Sequence, residues 1–149
     1  MSASDPVLVY GTCVALGMAG ALLRGPSGSG KSDLALRFVL GSPPEIGAAL
    51  VSDDQLLLER VGARLHARPP ASIAGKIEVR GIGIVSVPHR AVAELRLIVD
   101  LVDPDTVPRL PEPGGRREEL CGALIPVLAL APFEASAALK LRLALEAVA

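Results

Sequence analysis

Aromatic side chains are nearly absent from this chain of 149 residues, which has one Tyr, two Phe and no Trp. Single-stranded nucleic acid is gripped by stacking on such rings. Fifteen Lys and Arg against sixteen Asp and Glu also leave no basic field for a polyanion. Neither nucleic acid nor an anionic membrane is therefore an expected partner. Cysteine is scarce too. Cys13 and Cys121 form no C-x-x-C pattern and have no His ligands nearby, so two buried, reduced thiols are expected rather than zinc or a disulfide framework. A membrane-type run is also missing. Pro6 to Leu23 carries no charge for eighteen residues, but Asp5 stands where a signal peptide needs basic residues, and Gly11, Thr12, Gly17 and Gly20 interrupt the stretch. Short strands account for it better, and the chain is expected to be cytoplasmic.

What is present is aliphatic. Half the residues are hydrophobic and 21% are charged, which excludes a disordered chain and suits one domain with a single site. A mean hydropathy of +0.47 suits a chain that buries surface against copies of itself, so a homo-oligomer is expected. Fifteen glycines and thirteen prolines punctuate the sequence and predict short strands with tight turns.

The pattern predicts a strand over Val7 to Leu16, a turn over Gly17 to Gly20 and a strand over Ala21 to Arg24. A helix follows from Ser32 to Leu40, stopped by Gly41, Pro43 and Pro44. Ala48 to Ser52 reads as a buried strand that ends on Asp53 and Asp54, and Leu56 to Val61 with Arg64 to Ala67 as a hairpin around Gly62 and Ala63. Further strands are expected around Gly81 and Gly83 and over Leu95 to Val102. Pro104 to Gly115 reads as a mobile loop near a site, and Glu134 to Val148 as a closing helix. The expected fold is α/β with a mixed, strand-rich sheet.

One motif is complete. Gly25, Pro26, Ser27, Gly28, Ser29, Gly30, Lys31 and Ser32 satisfy G-x-x-x-x-G-K-[ST] between a predicted strand and a predicted helix. Glycines let backbone N–H groups turn around phosphate oxygens, the helix start adds positive potential, Lys31 reaches the terminal phosphates and the Ser32 hydroxyl suits magnesium. ATP and Mg2+ are thus the expected substrate and ion. Asp53 and Asp54 are the candidate carboxylates, one to support the metal or act as a base, with their side chains on opposite sides of the strand. From these residues alone, a kinase for a small hydroxyl compound and a nucleotide-binding sensor without chemistry both stay open.

Together with Val51-Ser52-Asp53-Asp54 and Ile77-Glu78-Val79-Arg80-Gly81-Ile82-Gly83-Ile84, the loop resembles the catalytic domain of HPr kinase/phosphorylase. The resemblance runs from about Val7 to Pro132. It implies a phosphate-loop fold distantly related to phosphoenolpyruvate carboxykinase. It also implies a serine kinase acting with ATP on the phosphocarrier HPr, phosphorolysis as the reverse direction, and symmetric assemblies such as a hexamer. By the same resemblance Lys31 neutralises the phosphates, while Ser32 and Glu78, with Asp54, hold magnesium. Asp53 is the acid and base, Arg80 the signature Arg, and Arg109 the loop Arg that steadies the transferred group. Arg116 and Arg117 are the alternative pair for that last role, and otherwise, with Glu118 and Glu119, a solvated turn. The whole chain, residues 1–149, resembles the short proteobacterial form, a single catalytic domain without the N-terminal domain of longer members. His66 and His89 are expected to be structural or surface residues, and Met18 turn or core filler.

Two departures bear on function. Ala131-Pro132-Phe133-Glu134-Ala135-Ser136 stands where the family has a basic segment containing Pro and Gly. Tyr10 precedes Gly11 where the family has His; a His can become a cation beside Asp53, whereas a Tyr with a reference pKa of about 10 stays neutral at pH 7. A Tyr10→His variant is therefore expected to change the ratio of phosphorylation to phosphorolysis of HPr. Unchanged rates in both directions would contradict that reading.

Overall fold

Gly11 divides the first apolar stretch in two, so the single strand expected over Val7 to Leu16 is instead β1 (Val7–Tyr10) and β2 (Thr12–Leu16). The reason is steric: a Cβ on Gly11 would lie 2.7 Å from Leu22 Cδ1 and 2.9 Å from the Leu23 carbonyl oxygen. At this corner the chain leaves one partner and joins others. The computed structural model describes residues 4–149. The remaining elements are β3 (Ala19–Arg24), α1 (Lys31–Gly41), β4 (Ala48–Ser52), β5 (Gln55–Val61), β6 (Arg64–Arg68), β7 (Lys76–Val79), β8 (Gly83–Ser86), β9 (Ala93–Leu101), β10 (Arg116–Leu120), β11 (Ala123–Leu130) and α2 (Ala137–Val148).

Nine strands form one mixed sheet in the order β1-β5-β6-β9-β3-β2-β4, with β11 also on β9 and β10 on β11. Strands β3, β9 and β11 run parallel, and the other pairings are antiparallel. The mixed, strand-rich α/β fold is thus the one expected from the sequence. β7 and β8 form a separate ribbon.

The apolar strands alternate between two cores, which is why they read as continuous apolar runs. Val14, Ala21, Leu23, Leu50 and Val99 pack with Leu34, Phe38, Leu141 and Leu145 of the two helices. Their neighbours Cys13, Ala15, Leu22, Val51 and Ile98 face Leu56, Leu58 and Leu65 of the β5–β6 hairpin. Ile77 joins the first core and seats the β7–β8 ribbon on it. Burial of this kind contributes about 25 cal/mol per Å2 of apolar surface removed from water.

Other boundaries differ locally. β3 starts at Ala19, so the turn is only Gly17 and Met18, and α2 starts at Ala137 because Glu134 to Ser136 form a turn. The solvated turn expected at Arg116 to Glu119 is the start of β10, paired with β11 from Arg116↔Val127 to Leu120↔Ala123. Cys13 is buried and Cys121 half-buried, both free. Burial pushes the Cys13 thiol up to about 12. Among the described residues no helix is long and apolar enough to cross a membrane.

Candidate active site

Parallel strands β3 and β9 end side by side, and the segment following each strand forms part of the site. Residues 25–30 follow β3 and lead into α1, with Gly28 at φ 82° and Gly30 at φ 94°, a region that side-chain-bearing residues rarely adopt. Gly25 has no room for a Cβ, which would lie 2.5 Å from Ser29 Oγ. Lys31 folds back over this loop and donates to the Gly25 and Pro26 carbonyls at 2.6 and 3.1 Å. Ser29 Oγ is buried with no hydrogen-bond partner. An ammonium held only by loop carbonyls and an orphaned hydroxyl fit a phosphate group well, because phosphate oxygens satisfy both.

Asp53 stands just past β4 and is only 9% exposed. Its Oδ1 accepts two hydroxyl hydrogen bonds, from Ser32 at 2.7 Å and from Thr12 at 3.0 Å. The register explains the meeting: Cys13 of β2 lies opposite Ser52 of β4, which sets the preceding Thr12 against the following Asp53. The corner is closed by Asp54, at φ 68°, whose carbonyl accepts from the Gly11 N–H at 2.9 Å and whose N–H donates to Thr12 Oγ1 at 3.3 Å. Ser52 Oγ donates to the Gln55 carbonyl and completes the turn. Thr12 is thus a site residue that the sequence motifs do not reveal, and the register of β2 against β4 is the signal that finds it.

The structure brings Lys31, Ser32 and Asp53 together at the loop. Asp54 is exposed, with its backbone rather than its carboxylate engaged. Glu78 lies on β7 and Arg80 in the turn after it, both exposed, and no ion pair joins them among the described residues. Arg109 is exposed between the turn at Pro104–Thr106 and β10. The hydroxyls of Thr12 and Ser32, rather than Glu78, Arg80 or Arg109, are the side-chain partners of Asp53. Tyr10, 71% exposed, faces Gln55 across β1 and β5. His89 holds the Val87 carbonyl at 3.0 Å and fills the space beside Gly75, a structural role as expected.

For magnesium, the described residues contain no cluster of three His, Cys, Asp or Glu. Ser32 and Asp53 nevertheless supply hard oxygen donors beside the phosphate loop. Magnesium commonly takes one or two protein oxygens and completes its shell with phosphates and water, so these residues fit it.

An ionic clamp sits beneath the loop. Arg24, the last residue of β3, donates from Nε and Nη2 to both oxygens of Asp100 at 2.8 and 3.1 Å. It also donates from Nη1 and Nη2 to both oxygens of Glu118 at 2.6 and 3.0 Å. Arg116 adds a contact to Asp100 at 3.0 Å. Two bidentate pairs on one guanidinium lock its plane and tie β10 and β9 to the residue before Gly25.

The comparisons with known proteins agree with this arrangement. A family profile for the HPr serine kinase C-terminal domain matches residues 2–119. The chain belongs to this family. It is 37% identical to the HPr kinase/phosphorylase of Mycoplasmopsis pulmonis over 81 residues, which is 54% of this chain and 25% of that protein. It is 36% identical to the HPr kinase/phosphorylase of Neisseria meningitidis over 94 residues, 58% of this chain and 28% of that protein. These alignments span about a quarter of each relative's length. The Hpr(Ser) kinase/phosphatase of Coxiella burnetii superposes with a TM-score of 0.79 at 25% identity, covering 95% of both chains. The HPr kinase fold is therefore shared along nearly the whole chain.

The clamp makes a pH prediction. Hydrogen bonding to Arg24, with its positive charge, holds the Glu118 carboxyl below its ordinary 4.5. A carboxyl depressed in the folded state adds stability above its unfolded value, and that stability is lost as pH falls through the folded value. Glu118→Gln is thus expected to lower the thermal midpoint at pH 7 and to flatten its fall below about pH 4.5. Parallel acid limbs for variant and parent in a pH series of thermal melts would contradict this.

Proposed function

We propose that the chain is a single catalytic domain that phosphorylates a serine of an HPr-type phosphocarrier with ATP and reverses the step by phosphorolysis. The observation that carries this reading is Asp53, a nearly buried carboxylate hydrogen-bonded to Ser32 of the phosphate loop. Membership of the HPr serine kinase C-terminal domain family supports the acceptor.

In the forward direction the acceptor serine loses its proton to Asp53, and its oxygen attacks the γ-phosphorus. The bond between that phosphorus and the β,γ-bridging oxygen breaks, and ADP leaves. In reverse, inorganic phosphate attacks the phosphoserine phosphorus, protonated Asp53 returns its proton to the serine oxygen, and pyrophosphate is released. Thr12 and Ser32 both donate to Oδ1, so Oδ2, which no described protein group engages, is the oxygen that takes the proton.

Gly25 to Gly30 cradle the phosphates, and Lys31 exchanges its two carbonyl partners for them. Ser32 and Asp53 would hold magnesium beside the phosphates, with Asp54 and Glu78 the further donors that the family resemblance implies, and the ion would supply charge neutralisation for the transferred group. Arg80 and Arg109 steady the phosphoryl group and the carrier once the carrier is docked. Exposed Ile82 and Ile84 on the ribbon, and Leu139 and Leu143 one turn apart on α2, are apolar surface for the carrier and for further copies of the chain. The rival reading, a nucleotide sensor without chemistry, draws its support from Tyr10 in the place of the family His and from the segment Ala131 to Ser136 before α2.

Incubation with HPr of the same organism, magnesium and ATP is expected to add one phosphate, about 80 Da, to a serine of HPr in the intact mass. A Lys31→Ala variant should add none. Unmodified HPr despite measurable MgATP binding would replace the kinase reading with the sensor.

A further inference from the structure

A triphosphate seated on residues 25–32 carries a nucleoside that the phosphate loop does not hold. Beside the loop lies an open cleft of about 710 Å3, bordered by the loop itself, by Leu101 at the end of β9 with Val102 to Pro104 beyond it, and by Ala131 to Glu134 after β11. This is the size range of small-molecule sites. Its character differs from that of the loop. Leu101, Val102, Pro104, Pro132 and Phe133 give it apolar walls, Asp103 and Glu134 are its charged lining residues, and no Lys or Arg lines it. Such a cleft repels phosphate but accepts a neutral ring with N–H and O–H donors.

Phe133 is one of three aromatic residues in the chain, yet it is 72% exposed. Its backbone is nonetheless pinned. The ring edge abuts Gly30, where a Cβ would come within 2.9 Å of Phe133 Cε1 and 3.3 Å of Pro132 Cβ. From α1, Arg37 donates to the Pro132 carbonyl and, at 3.4 Å, to the Glu134 carbonyl, pinning the residues on either side of Phe133. Glu134 is held further by Lys140 at 2.9 Å. A solvent-facing ring on a backbone pinned at both neighbours, at the rim of an apolar cleft and beside the last glycine of the loop, offers a face on which a base can stack.

We infer that Phe133 is the nucleobase-binding residue of this chain, stacking the base of the nucleotide whose phosphates lie on Gly25 to Ser32. The inference rests on the phosphate-loop part of the function proposed above and not on the identity of the acceptor. Stacking a base on an aromatic side chain is sequence-tolerant and needs no hydrogen bonds from the ring.

Calorimetric titration of the whole chain with MgATP and with magnesium tripolyphosphate, which has the phosphates but no base, separates the contributions. Phe133→Ala is expected to weaken MgATP binding by about 5- to 150-fold and to leave tripolyphosphate binding unchanged. Because the chain has no Trp, a Phe133→Trp variant provides a single reporter. Its emission should be quenched by MgATP and not by tripolyphosphate. The inference is overturned if Phe133→Ala binds MgATP as the parent does. Equal loss of both ligands overturns it too, since Phe133 would then only buttress Gly30. If the parent binds tripolyphosphate as tightly as MgATP, the base subsite fails while the phosphate loop stands. If the parent binds neither, both readings fall together.

Discussion

A single carboxylate oxygen joins three parts of the chain that are far apart in sequence. Asp53 Oδ1 accepts hydrogen bonds from Thr12 on β2 and Ser32 on α1, and Asp53 itself directly follows β4. A buried carboxylate is costly unless its oxygens are satisfied, and two hydroxyl donors offset that cost without neutralising the charge with a cation. The arrangement therefore holds the carboxylate in place with one oxygen, Oδ1, doubly hydrogen-bonded. The Gly11 corner and the left-handed backbone of Asp54 are what allow Thr12 and Asp53 to meet.

The sheet supports this centre from below. β3 runs through both cores and delivers the phosphate loop at its end, where Arg24 is gripped by Asp100 of β9 and Glu118 of β10. The neighbouring parallel strands β9 and β11 end at the same level and contribute the two remaining walls of the cleft. The cleft at β9 and β11, the loop after β3 and Asp53 after β4 thus follow one another in the strand order β11-β9-β3-β2-β4. Each has a different electrostatic character: cationic at Lys31, apolar and acidic at the cleft, and a lone carboxylate at Asp53.

The parts of this architecture that are local along the chain are legible in its amino-acid sequence. Glycine placement marks the phosphate loop, apolar runs mark β3, β4 and β9, and helical spacing of Leu34, Ala35 and Phe38 marks α1. What escapes such a reading depends on pairing between distant segments. Thr12 gains its role only through the register of β2 on β4, and Arg24 only through partners 76 and 94 residues away. Strand β10 opens with four charged residues because it has a single strand partner and is exposed there, so its composition imitates a turn. Glu78, Arg80 and Arg109, from the segments that carry the resemblance, are exposed, and no pairing between them marks them out in the fold among the described residues.

Replacing the Asp53 carboxylate with an amide tests the central claim most directly, because Asp53→Asn preserves shape while removing the proton acceptor. Affinity for MgATP and the rate of phosphoserine formation on HPr would be measured on the same variant. The account predicts binding within a few-fold of the parent and a turnover lower by roughly 10²–10⁴-fold. Turnover equal to the parent, or reduced only in proportion to lost MgATP affinity, would contradict Asp53 as the group that carries the proton.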